Sequence, residues 1–115
     1  MRCVEVLECT VADGAMQNFV NAVQQWERAA LAHPDAPMHH AVLLDDINPA
    51  RVTIITQFQD RETADRFAES HLIDQFMTGV LNCIKPSASG RRFDLFYASG
   101  TGGPHAIFGE NPKGS

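Results

Sequence analysis

The chain is short of positive charge, has no long apolar run and carries no paired-cysteine motif. Nine Lys and Arg stand against fourteen Asp and Glu, a formal charge of −5, and Arg91-Arg92 is the one adjacent basic pair. A nucleic-acid surface needs a basic stripe that displaces counterions, so that partner class is excluded. No hydrophobic stretch approaches the roughly 20 residues of a membrane-spanning helix, and no membrane partner is expected. Met1-Arg2-Cys3-Val4-Glu5 shows no signal-peptide core, so the expected location is the cytoplasm. Cys3, Cys9 and Cys83 are odd in number and lack CxxC spacing. They read as reduced, buried thiols rather than as a disulfide framework or a zinc site.

What remains is an ordinary globular composition, 44% hydrophobic and 20% charged over 115 residues. That is one domain, long enough to bury a core without disulfides or a metal. Residues 2–11 alternate as a first strand. Asp13-Gly14 punctuates, with Asp13 as the expected helix cap. Met16, Phe19, Val20, Val23, Trp26 and Ala30 then recur at helical spacing, and His33-Pro34 ends the helix. Residues 38–44 and 51–58 read as strands joined by the turn-rich Asp45-Asp46-Ile47-Asn48-Pro49, a hairpin. Asp60 caps a second helix that Ser70 restarts or kinks before Lys85-Pro86 stops it. Residues 92–98 form the fourth strand. A Gly/Pro-rich tail, residues 100–115, follows the domain at 1–99; its Ile107-Phe108 is either an anchor on a neighbour or part of a loose terminus.

The order β-α-β-β-α-β predicts an α+β fold, the ferredoxin-like split sandwich with an antiparallel four-stranded sheet and both helices on one face. In the expected packing, Val4, Val6, Val42, Leu44, Ile54, Phe58 and Leu95 lie under the helices. Leu7, Leu43, Ile55 and Phe96 then look outward. Either way both faces are apolar, and two helices cover one of them. The uncovered face predicts a homodimer, with the two sheets closing a dimeric α+β barrel.

The chemistry rests on histidines. His39-His40 opens the second strand with its side chains on opposite faces, so the pair does not chelate one metal. No HxH, HExxH or Cys/His cluster is present, and no metal is expected. His40 shares parity with Val42 and Leu44, near a strand end where a pocket would open, and His71 stands at the break in the second helix. Each is a candidate general base, because imidazole titrates near neutrality. The alternative for each is a hydrogen-bonded or half-exposed histidine with no role. His33 and His105 sit in loops. Glu5 is expected to pair with Arg51 or Arg92. Trp26, Phe58, Phe67, Phe76 and Tyr97 fall at core spacings, from which some would line a cavity for a flat ring.

The stretch DINPARVTIITQFQDRETADRFAESH, from Asp46 to His71, resembles the antibiotic-biosynthesis monooxygenase (ABM) family of dimeric α+β barrel proteins. Asn48-Pro49, Phe58, Asp60, Ala64, Phe67, Ser70 and His71 carry the likeness. ECTVADGAMQNFVNAV, from Glu8 to Val23, resembles the family's strand-Gly-helix entry. The resemblance implies a homodimer with a pocket between sheet and helices. It further implies oxygenation of an aromatic or polyketide-type metabolite without a cofactor. There the substrate, once deprotonated, supplies the electrons, while the protein supplies shape, a base and a donor for the developing oxyanion. His40 and His71 are then the candidates for base or donor, with Tyr97 behind them. Trp26, Phe58, Phe67 and Phe76 would line the pocket. A second branch resembles haem-degrading monooxygenases that use an Asn, a Trp and a His. Leu7, Phe67 and Met77 hold those positions here, so the chain departs from that branch. Thr56-Gln57 also stands where many relatives carry a Glu. The competing readings are an isomerase or cyclase using the same base, and a ligand-binding or stress-associated barrel without turnover.

Overall fold

The computed structural model describes residues 1–99. They run as β1 (Cys3–Thr10), α1 (Met16–Leu31), β2 (His39–Leu44), β3 (Arg51–Phe58), α2 (Arg61–Ala68), α3 (His71–Leu81) and β4 (Ser89–Asp94). The strands form one open antiparallel sheet in the order β2-β3-β1-β4. This is the ferredoxin-like α+β arrangement the residue order predicts. Closure into a barrel would need a second sheet. The expected tail, including Ile107-Phe108 and His105, lies outside the described residues.

Local chemistry sets each boundary. The Asp45 carboxylate accepts from the Ile47 and Asn48 amides at 2.8 and 2.9 Å, folding the β2–β3 link into an Asx turn. Those two amides hold its carboxyl below the usual range. Asp60 caps α2, its Oδ1 accepting from the Thr63 amide at 2.8 Å. Ser70 restarts the chain as α3, accepting from the Ile73 amide at 3.4 Å, so the expected second helix is two. The expected cap of α1 is corrected. Ala15 occupies the N-cap and no side chain bonds there. Gly14 turns the chain at φ +72°, which leaves the Asp13 carboxylate in solvent, 3.8 Å from Lys85 Nζ.

Two further expectations are corrected. The fourth strand is Ser89–Asp94, beginning three residues and ending four residues earlier than the apolar pattern suggests. It runs antiparallel to β1, with Asp94 opposite Cys3, and the Leu95 amide donates to the Arg2 carbonyl at 2.9 Å. Beyond that point the partner strand has run out, so Phe96 and Tyr97 stand in solvent. The second correction is the phase of β1. Cys3, Glu5, Leu7 and Cys9 share a row position with Phe58, Thr56, Ile54 and Val52 on the helix side. Val4 and Val6 therefore take the outer face and Leu7 the inner one, the reverse of the expectation. Apolar residues at both parities left the phase open in β1. The pairing register resolves it.

The core lies between the inner sheet face and the helices: Phe19, Val23, Trp26 and Ala30 from α1, Phe67, Ile73 and Val80 from α2 and α3, and Phe58 beneath. The outer face carries Val4, Val6, Ile55, Leu43 and Phe93, of which Leu43 and Phe93 are 49% and 41% exposed. It also holds Gln57, fully buried, with neither amide atom hydrogen-bonded among the described residues. All three cysteines are free and buried. Among the described residues no helix is long and apolar enough to cross a membrane.

Phe58 is fully buried, with its ring 5.1 Å from that of Phe67. Phe58→Ala is expected to cost about 3–5 kcal/mol through lost transfer energy and the cavity left behind. Urea denaturation with an unchanged slope would read this as a lower midpoint.

Candidate functional site

Antiparallel register draws one polar row across an otherwise apolar sheet face. His40 of β2 lies opposite Thr56 of β3, Thr56 opposite Glu5 of β1, and Glu5 opposite Arg92 of β4. On one side this row is flanked by Val42, Ile54 and Leu7, on the other by Phe58 and Cys3. Above it the helices leave a cavity of about 510 Å3. Val23 and Trp26 of α1, Phe67 of α2, and Ile73, Met77 and Val80 of α3 form its apolar wall. The α2–α3 break lets Phe67 and Ile73 both face this space. All four members of the polar row border it. A mostly hydrocarbon hollow of this size with a few convergent polar groups is the usual form of a small-molecule site.

His40 is the most constrained member. Its side chain is 8% exposed, and Nδ1 lies 3.2 Å from Glu27 Oε1. A carboxylate only accepts, so this approach favours the tautomer with the proton on Nδ1 and the lone pair on Nε2. Nε2 has no hydrogen-bond partner among the described residues. The Trp26 indole lies tilted against the imidazole, centroids 4.7 Å apart, and Trp26 in turn meets Phe67 edge-on at 6.0 Å. Burial pushes the His40 pKa down. The Glu27 charge and hydrogen bond pull the other way and His39 adds a smaller push down, with burial prevailing. His40 is thus an imidazole that stays neutral as pH falls further than a free one would, as a base requires.

Trp26 supplies a second unusual group. Its indole N–H is buried and has no acceptor among the described residues. An unmade bond of this kind costs about 1–3 kcal/mol. Trp26 borders the cavity, and also a smaller hollow of about 200 Å3 on its other side.

At the far end of the row Arg92 is fully engaged. It donates to Glu5 Oε2 from Nε and Nη2 at 3.1 and 2.8 Å and to Asp65 Oδ1 of α2 from Nη1 at 2.6 Å. The bonds to Asp65 and Glu5 hold its pKa above the ordinary arginine value. The cluster ties the edge strand to α2, and Glu5 has Arg92 as its partner, one of the two expected.

Of the residues singled out from sequence, His40, Trp26 and Phe67 meet at the cavity. His71 opens α3 on the exposed surface and does not border it. Tyr97 is 77% exposed, beyond the end of β4, and edges a separate surface hollow with Arg2 and Phe96. Phe58 lies in the core below the cavity, and Phe76 is half-buried against that core without reaching the hollow. Sequence reasoning missed Glu27 and Thr56. Nothing in the helical pattern distinguishes Glu27 from a wet-face residue except its place beside Trp26. Among the described residues no group of three or more His, Cys, Asp or Glu is placed to hold a metal.

No family model and no curated protein matches the chain. Solved structures do. SnoaB, a cofactor-independent oxygenase from Streptomyces nogalater, superimposes with a TM-score of 0.74 at 12% identity, covering 84% of this chain and 95% of that one. A Nitrosomonas europaea protein named as an antibiotic biosynthesis monooxygenase gives 0.72 at 16% identity, covering 86% and 94%. A conserved protein from Methanosarcina mazei gives 0.73 at 15%, covering 81% and 91%. The fold is that of the ABM structures. Identities this low establish the fold and leave the chemistry to the residues present. Leu7, Phe67 and Met77 all border the cavity and make its wall there hydrocarbon.

The depressed pKa of His40 links the site to stability. As pH falls below about 6.5, the unfolded chain binds a proton that the folded imidazole resists. His40 therefore adds stability above that pH, and the contribution is lost as pH falls through the window down to its lower folded value. Urea midpoints measured from pH 8 to pH 5 should fall more steeply for the wild-type protein than for His40→Gln. Equal slopes would show that the imidazole is not desolvated.

Proposed function

We propose that the chain is a cofactor-independent monooxygenase-like enzyme acting on a small aromatic, polyketide-type metabolite. The observation that carries this reading is His40: a buried imidazole with Nδ1 tied to a carboxylate and Nε2 unpaired, at the floor of a 510 Å3 apolar cavity. Apolar walls and aromatic neighbours suit a flat fused-ring substrate. Cavity size and convergent polar groups favour a ligand site over a packed core. The likeness to a cofactor-independent oxygenase supports the reaction class.

In this reading His40 Nε2 removes a proton from an acidic carbon or phenol of the substrate. The carbanion or phenolate that results is electron-rich and reacts with dioxygen. For a ring methylene flanked by aryl groups, one oxygen atom ends as the new carbonyl. The other leaves as water with the two hydrogens that the carbon lost. No external reductant is needed, because the substrate carbon is oxidised as dioxygen is reduced. The unpartnered Trp26 N–H is suited to donate to the substrate oxygen on which negative charge gathers. Oxygen-electrode assays with a panel of anthrones and hydroxyquinols should show uptake. His40→Ala should lower turnover by about 10²-fold or more. Conversion of the probe without oxygen uptake would move the assignment to isomerisation or cyclisation by the same base. Absence of both uptake and conversion across the panel would favour a ligand-binding protein.

The same reading takes the working form as a homodimer. Val6, Ile55, Leu43 and Phe93 lie on an apolar outer sheet face opposite the described helices, with Leu43 and Phe93 exposed. Sedimentation equilibrium at micromolar concentration should give twice the chain mass, and Ile55→Arg should shift it toward one. A well-folded single subunit of the wild-type protein would overturn the pairing.

A further inference from the structure

We propose that Glu27 is the positioning residue of this site: its carboxylate holds the Nδ1–H of His40 and so presents Nε2 as the proton acceptor. The inference rests on the reading of His40 as the base and adds a group that sequence and fold comparison leave unassigned.

Three observations support it. Helical geometry isolates Glu27 from any ordinary surface partner. Its i±3 and i±4 neighbours are Gln24, Ala30, Val23 and Leu31, none of them basic, so no helical ion pair accounts for it. Its one ion-pair partner among the described residues is His40, at 3.2 Å. The two side chains also differ in burial in the direction the role needs. The imidazole is 8% exposed and the carboxylate 39%. The carboxylate thus reaches solvent, while the base it steers stays dry. Finally, Trp26 and His40 border both the main cavity and the 200 Å3 hollow, and Glu27 borders only the hollow. Glu27 therefore engages His40 from outside and takes up none of the substrate space.

The groups around His40 determine what removal of the charge does. From α1 come Glu27 and the Trp26 ring, from β3 Thr56, and on its own strand His39. Glu5 and Arg92 lie further along the row and neutralise one another. Of these, only Glu27 raises the His40 pKa, against burial and His39. Without its charge the imidazole becomes a weaker base and is free to take either tautomer.

The test is a nitrogen-15 NMR titration of the imidazoles in the full-length wild-type protein, in Glu27→Gln and in Glu27→Asp, with His40→Ala to assign the resonance. The wild type should show the Nδ1–H tautomer. Glu27→Gln should move the His40 midpoint to lower pH, and Glu27→Asp should fall between. With anthrone as probe, Glu27→Gln should lower kcat with little change in KM, and the acid limb of the rate profile should shift by the same amount as the midpoint. An identical midpoint and tautomer in wild type and Glu27→Gln would overturn the proposal, whatever His40→Ala does to activity. Conversely, a fully active His40→Ala would defeat the base assignment and leave the NMR result for Glu27 standing.

Discussion

Antiparallel register is the constraint on which the site depends. Side chains alternate faces with a period of two, so a slip of one residue in the central β1–β3 pair would send half of the polar row to the wrong side, and a slip in an edge pair one residue of it. Eight paired residues between β1 and β3 set Glu5 against Thr56, and the edge strands then deliver His40 and Arg92 to the same row. The ladder that folds the sheet is therefore also the device that aligns the chemistry. The Arg92 cluster reinforces it from the weakest place, an edge strand with no buried residue, by binding β1 and α2 together.

A second tension shapes the interior. The cavity forgoes packing contacts that a filled core would gain, and its hydrocarbon wall gives a polar guest few partners. Among the polar groups that border it are the His40 imidazole, the Trp26 indole N–H, which has no acceptor among the described residues, and the hydroxyl of Thr56. Burial makes each of these groups count for more, because a low dielectric strengthens any interaction they do make. It also keeps His40 neutral, at a cost that Glu27 partly offsets. The break at Ser70 is part of the same arrangement, since a single straight helix in place of α2 and α3 would not be free to turn Phe67 and Ile73 toward one space.

How much of this was legible in the residues depended on the kind of signal. Strand Arg51–Phe58 and helix Met16–Leu31 stand where alternation and helical spacing place them, because their apolar residues fall on one clear period. The phase of β1 was not legible, with Val4 and Val6 at one parity and Cys3, Leu7 and Cys9 at the other. The end of β4 was not legible either, because it is set by where Arg2 begins rather than by Phe96 and Tyr97 themselves. Parity with Val42 put His40 on the correct face. His71 was drawn in by its place at the helix break and Tyr97 by its strand spacing, and their backbone positions carry both to the surface.

The sequence by itself determined the element order, the α+β class and the surplus of apolar sheet surface, because these follow from local periodicity and turn chemistry. Only the tertiary structure decided which residues meet. Glu27, His40, Thr56 and Arg92 are scattered along the chain, and their meeting depends on strand register and on the angle at which α1 crosses the sheet. Those quantities come from summed packing over many residues, and no local pattern encodes them.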